Sequence, residues 1–282
     1  MIVLPIPVES KTQRLHDEPS FTPRPDVISM DRRYGNRVAI WNMELRAGTV
    51  IELKEHAIVR VEPHAPVIHR ASMDEYARFP KKIAETYLVP TPSADQTDDR
   101  IRALADRARG RETDPVRITK NIHALLMRSL VYGDAIDGLY TAQDAMDRAK
   151  VDCGGFSTLF IALAKACGIP ARLVSGCWTR PREAKMHAWA EWFHPVGLWI
   201  PVDTSIEWLA KRGRTKRSGR YGFVGSDRLT LSYGDDLPIT HNGVSVHANI
   251  LQHPAVFVGG EAGSQSGVTA EARFIFPKVW PA

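Results

Sequence analysis

The sequence predicts an α+β fold, in which helices pack on an antiparallel β-sheet and a small all-β sandwich-like domain precedes them. Three observations carry this reading. Short β-branched runs separated by turn residues fill residues 1 to about 90. Apolar residues then recur at helical spacing between Ile101 and Cys167. Finally, the extended runs Met186–Phe193 and Leu198–Thr204 flank a Pro195-Val196-Gly197 turn.

The bulk numbers bound the possibilities. With 282 residues, 44% hydrophobic and 24% charged, the chain has the make-up of an ordinary globular protein with two domains. The expected division is a β-rich accessory domain over 1–92 and a second domain over 93–282. The 37 Lys and Arg against 32 Asp and Glu leave a net charge of +5. That excess is too mild for a nucleic-acid partner. No apolar run approaches the ~18 residues that a membrane-spanning helix needs, so no membrane partner is expected. Met1–Pro7 lacks the basic and long apolar regions of a signal peptide and reads as a short strand. A cytoplasmic location is the resulting expectation. Three cysteines, an odd count, exclude a disulfide framework, leave at least one free thiol and fit a reducing compartment or a reactive thiol.

Along the first domain, Arg37–Leu45 alternates at several steps, Ala47-Gly48 turns the chain, and Thr49–Leu53 and Ile58–Val61 resume the extended pattern. It holds no nucleophile–base constellation and reads as a structural or substrate-presenting module. Residues 88–98, rich in Pro, Thr and Asp, form a linker ending at a helix start. Ile101, Leu104, Ala105 and Ala108 mark one helical stripe. Ile118, Ile122, Leu125, Leu126 and Leu130 mark a second, over Pro115–Val131. Thr141 caps a short helix, with Asp144 close to the capping-box position. Phe156, Leu159, Phe160, Leu163 and Cys167 form a buried stripe that Gly168 and Pro170 terminate.

That last helix begins at Cys153, followed by Gly154 and Gly155. Backbone N–H groups and the positive dipole end at a helix start stabilise a thiolate and can hold an oxyanion. The two glycines leave no side chain to block a substrate. On position alone, Cys153 reads equally as a small residue in a capping region. Further on, Ala171–Gly176 reads as a strand, and His187, Trp189 and Glu191 share one face of the next. With a one-residue bulge, the hairpin through Gly197 returns Asp203 beside His187. Nucleophilic cysteine catalysis needs a thiolate, a base and a group that orients the base. Cys153, His187 and Asp203 are therefore the candidate catalytic triad. A buried histidine on a strand has an ordinary packing explanation; all three residues in this arrangement do not.

Cys153 opening a helix that ends in Gly168-Ile169-Pro170-Ala171-Arg172, then His187-Ala188-Trp189-Ala190-Glu191, then Trp199-Ile200-Pro201-Val202-Asp203-Thr204, closely resembles the transglutaminase-like superfamily. The resemblance covers roughly residues 113–205, with weaker similarity into the N-terminal β region, as in prokaryotic members. It implies a papain-like α+β core with Cys153 as nucleophile, His187 as general base and Asp203 as orienting carboxylate. It also implies acyl transfer from an amide through a thioester, resolved by water or by a second amine, with hydrolysis favoured. Gly154-Gly155 departs from the larger or acidic residue that many relatives carry after the cysteine, which bears on substrate preference.

Gly154, Trp189 and Glu191 are candidates for the substrate cleft, core packing being the alternative for Trp189. Cys167 and Cys177 read as structural thiols. Cys153, Cys167, Cys177 and His187 lack paired ligand spacing, so neither a metal nor another cofactor is expected. The expected partner is a peptide or protein substrate. The sequence leaves the oligomeric state open, and a catalytically idle interaction module is the competing class. The basic run Lys211, Arg212, Arg214, Lys216, Arg217 and Arg220 reads as a solvated loop, or as a collector of acidic substrate near Asp203. Gly259–Gly267 reads as a flexible connection between terminal strands at Val244–Val258 and Val268–Pro277.

Overall fold

The computed structural model describes residues 1–44, 49–179 and 185–258 and the backbone of 261–262. One boundary near residue 92 was the expectation. Instead two compact units interleave along the chain. The first gathers Met1–Glu62, Ser175–Met186 and the described residues from Arg228 onward; the second gathers Pro63–Val174 and His187–Asp227.

In chain order, the first unit begins with β1 (Ile2–Pro5), β2 (Gln13–Leu15), β3 (Ser20–Thr22), β4 (Val27–Met30), β5 (Arg37–Trp41), β6 (Lys54–His56) and β7 (Val59–Val61). The Ala47-Gly48 turn lies outside the described residues.

The second unit opens on a 3-10 turn (Met73–Arg78) and α1 (Lys81–Tyr87), followed by α2 (Asp99–Arg109) and α3 (Pro115–Ser129). Residues 73–87 are thus helical where an extended chain was expected. These segments are too short to display a helical stripe, and none of their residues is buried. Next come β8 (Val131–Tyr132), α4 (Ala142–Arg148), β9 (Lys150–Val151), α5 (Cys153–Ala166), β10 (Ala171–Trp178), β11 (Met186–His194), β12 (Leu198–Val202), α6 (Thr204–Ala210), β13 (Gly219–Arg220) and β14 (Phe223–Val224). Oxygen side chains cap the helices: Asp98 on α2, Asp114 on α3, Thr141 with Asp144 as a capping box on α4, and Asp152 on α5.

α5 is the centre of this unit. A single buried stripe was expected, yet every residue from Gly154 to Lys165 is buried. α2, α3, α4 and α6 all pack against it, so no face is left to solvent. Phe156, Leu159, Phe160 and Leu163 are each at most 2% exposed, each contributing about 1.5–3 kcal/mol by burial. Gly168 takes φ +78°, the left-handed conformation that closes the helix. β12, β11 and β10 lie side by side in that order, and β10 passes into the first unit at Ser175. The β11–β12 hairpin turns at Pro195–Gly197, with Ala190 opposite Val202 and His194 opposite Leu198.

The chain returns to the first unit with β15 (Arg228–Tyr233), β16 (Leu237–His241), β17 (Val244–Ala248), β18 (Ala255–Val258) and β19 (Glu261–Ala262). β15 neighbours β10, whose residues from Ser175 belong to this same unit. There a Cβ on Gly176 would collide with the Leu229 carbonyl, so only glycine fits. The main sheet runs β19-β18-β1-β5-β4, with Ile2 opposite both Val256 and Trp41. Late strands therefore complete the N-terminal sheet, which is why no single cut in sequence separates the units. Alternation along β1 and β5 feeds two cores. Val3, Val38 and Ile40 pack with Leu237, Ile239, Val246 and Phe257, while Leu4, Ala39 and Trp41 pack with Ile6 on the other face. Residues 180–184, the remainder of Gly259–Gly267 and Val268–Pro277 lie outside the described residues.

Candidate active site

Cys153 is the first residue of α5 and is half-buried. The cap before it, Asp152, accepts the N–H groups of Gly154 at 2.9 Å and Gly155 at 3.2 Å on one oxygen. These are the donors that the sequence reading reserved for a thiolate or an oxyanion. The backbone N–H groups of Ala188 and Gly154 act on the sulfur in favour of the thiolate. Burial pushes the thiol up to about 12, and the carboxylates of Asp152 and Asp203 add to the rise against those two N–H groups. Desolvation and two nearby negative charges thus act against the thiolate that the helix start favours.

The two glycines also serve differently from expectation. A Cβ on Gly154 would lie 2.9 Å from a Leu139 methyl, and one on Gly155 only 2.6 Å from Cβ of Val151. Their smallness lets the first turn of α5 seat against β9 and the chain before α4.

His187 and Asp203 are both buried, and His187 Nε2 lies 2.8 Å from Asp203 Oδ2. The hairpin register differs from expectation by one step. Continued past Val202, it would set Asp203 opposite Trp189. Asp203 lies just beyond the ladder, where it caps α6 by accepting Ile206 N–H at 3.1 Å and the Ser205 hydroxyl at 3.0 Å on Oδ1. Its other oxygen reaches back to His187. Thr204 was expected as strand end; α6 forms there because the Asp203 cap and the packing on α5 select it.

Trp189 stacks on His187, with ring centroids 5.9 Å apart and 22° between planes. Glu191 continues that face, but it is only 4% exposed and committed elsewhere. Its Oε2 accepts from Arg172 Nε at 2.9 Å and Nη2 at 2.7 Å, and His64 Nδ1 lies 3.6 Å from Oε1. Burial alone would raise its carboxyl; the Arg172 charge and the His64 contact outweigh burial and hold it below the usual range. Its role at the cleft is thus corrected to a strand-to-strand tie between β10 and β11.

Three neighbours went unnoticed in the sequence. Asp152 carries a readable signal, an N-cap residue directly before a helix. Ser157 does not: its hydroxyl donates to the Cys153 carbonyl at 2.8 Å and lies 3.4 Å from the Ala188 carbonyl, fastening α5 to β11. Tyr132 sits opposite Val151 in the parallel β8–β9 pair, two residues before Cys153. Burial, then the charges of Cys153, Asp152 and Asp203, raise its hydroxyl, and Arg217 opposes them. Arg217 of the basic run therefore belongs to the electrostatic surroundings of Tyr132. A cavity of about 560 Å³ elsewhere in this unit, lined by Arg100, Arg107, Leu125 and Leu159, includes none of the three candidate residues. Among the described residues, no group of three or more His, Cys, Asp or Glu side chains is placed to hold a metal ion. No helix among them is long and apolar enough to cross a membrane.

Residues 102–204 match the model of the transglutaminase-like superfamily. An uncharacterized protein of Haemophilus influenzae is 25% identical over 160 residues, 53% of this chain and 42% of that protein. This chain thus spans less than half the length of that relative. Among solved structures, a proposed cysteine protease from Cytophaga hutchinsonii superposes with TM-score 0.58 at 16% identity, covering 83% of this chain and 75% of the other. The periplasmic domain of TgpA from Pseudomonas aeruginosa aligns with TM-score 0.44 at 15% identity over 76% and 71% of the two chains. The Cytophaga structure shares the mixed helix-and-sheet fold. The α5–β11–β12 core thus lies within a segment, 102–204, that is similar to the transglutaminase-like superfamily.

Proposed function

We propose that this chain is a cysteine-nucleophile enzyme that hydrolyses an amide of a peptide or protein through a thioester. The observation that carries the reading is the buried His187–Asp203 bond of 2.8 Å, with Cys153 at the start of α5 within the electrostatic reach of Asp203.

Because burial keeps the isolated thiol protonated near neutral pH, the nucleophile is made by proton transfer. Nε2 of His187 faces Asp203, so the base is the other ring nitrogen, Nδ1. It takes the Cys153 proton as the sulfur attacks the carbonyl carbon, and Asp203 stabilises the imidazolium. Collapse of the tetrahedral intermediate breaks the C–N bond, and the amine leaves with the proton from His187. Water then attacks the thioester carbonyl, gives its proton to His187, and releases the acid and Cys153. Hydrolysis also agrees with the description of the Cytophaga hutchinsonii structure as a proposed cysteine protease.

The test is to incubate the wild type and C153A with a casein digest and with a glutamine-containing peptide, with and without a labelled amine. Expected are new amino termini or released ammonia that require Cys153, without amine incorporation. Incorporation that requires Cys153 would overturn hydrolysis as the outcome. Equal behaviour of wild type and C153A, with no acyl-enzyme trapped in the wild type, would overturn the enzyme.

A further inference from the structure

α6 has only seven residues, too few to hold a fixed orientation without outside anchors. Its first turn is nevertheless tied to α3 at two points by one side chain. His123, 8% exposed, lies with Nδ1 3.0 Å from the Thr204 hydroxyl and Nε2 3.0 Å from Oε2 of Glu207. Glu207 also accepts the Tyr221 N–H at 3.1 Å and faces Lys211 Nζ at 2.7 Å. One helical turn before His123, Thr119 bonds the Tyr221 hydroxyl at 2.8 Å. The imidazole thus spans positions 1 and 4 of α6, and the cap of that same turn is Asp203.

Asp203 divides its two oxygens between the turn it caps and His187. A shift of the first turn of α6 therefore moves the oxygen that His187 meets. The geometry points to Thr204 and His123 as a positioning pair: their bond clamps the first turn of α6 to α3 and so keeps the Asp203 carboxylate in register with His187. This rests on the triad proposed above. Neither residue is assigned contact with substrate. With Nε2 facing a carboxylate and Nδ1 the Thr204 hydroxyl, loss of that hydroxyl leaves a buried ring nitrogen without its partner.

The test reads Cys153 directly, by its rate of alkylation with iodoacetamide from pH 5 to 10.5, followed by peptide mapping of the intact chain. The wild type should show a neutral plateau where unprotonated His187 takes the thiol proton as the sulfur attacks, then an alkaline rise where thiolate forms without His187. The charged and titratable groups in play are Asp152, Tyr132, Arg217 and Asp203 around the triad, and Glu207, Lys211, Tyr221 and Lys120 around His123. In T204V the plateau should fall about tenfold relative to the alkaline rise, a fraction of the ~10²–10⁴ that a whole acid–base group is worth. T204S, which keeps the hydroxyl, should restore the plateau to within about twofold. H123Q, which cannot span both partners, should behave as T204V and replaces it if T204V fails to fold. A plateau in T204V and H123Q equal to wild type, or a loss that lowers plateau and alkaline rise together, overturns the positioning role. If H187A and D203N also leave the plateau unchanged, the triad itself fails and not the clamp alone.

Discussion

Replacing Arg172 with Met isolates the tie between β10 and β11. Glu191 is 4% exposed, and both hydrogen bonds it accepts from Arg172, 2.9 and 2.7 Å, fall on one oxygen. Methionine keeps an unbranched stem under the Trp199 ring, over which the guanidinium carbon sits at 4.0 Å, so little packing is lost. What is lost is the charge that keeps a buried carboxylate ionised. Breaking a buried pair by removing one partner costs about 3–5 kcal/mol. At ~2–4 °C per kcal/mol for a chain of this size, Tm should fall by about 6–20 °C. The double variant R172M/E191M, with no stranded charge, should recover most of that loss. Urea and thermal unfolding of the wild type, both single variants and the double variant complete the cycle. A loss below about 1 kcal/mol in R172M, or a double variant as unstable as R172M, would refute the reasoning. So would an E191Q variant of unchanged stability with weakened substrate binding, the behaviour of a cleft residue.

Other outcomes follow from the same geometry. H187A should abolish the neutral plateau of Cys153 alkylation and leave only the alkaline rise, because burial, Asp152 and Asp203 remain to hold the thiol near about 12; labelling at pH 8 as fast as wild type would contradict this. Gly155→Ala should cost about 1–3 kcal/mol by overpacking against Val151, whose Cβ lies 2.6 Å from the added methyl; thermal unfolding checks it. The Glu207 carboxyl is lowered from 4.5 to about 2 in the fold, its hydrogen bonds to His123 and Lys211 overcoming burial. Its stabilisation is therefore complete above pH 4.5 and lost as pH falls toward 2. E207Q should flatten that limb of a stability-against-pH profile, and an unchanged limb would rule Glu207 out as its source.

Local chemistry made much of this molecule legible before any coordinates. Asp98, Thr141 and Gly168 stand where helices begin and end, the stripes at Ile101 and Ile118 lie within α2 and α3, and the Pro195–Gly197 turn joins β11 to β12. Such signals act over a few residues and need no partner from elsewhere in the chain. The hairpin was enough to bring His187 and Asp203 together. α6 was hidden because a seven-residue segment is helical only through what caps and covers it. The first sheet could not be closed from the N-terminal segment, since β18 joins β1 from more than 250 residues away. Glu191 could not be told from a cleft residue by its strand period, because Arg172 reaches it from β10. The state of Cys153 was likewise a tertiary matter. Its place at a helix start is written in the sequence and argues for a thiolate. Burial by the surrounding helices and the approach of Asp203 set the thiol higher, because desolvation and charge act through space rather than along the chain.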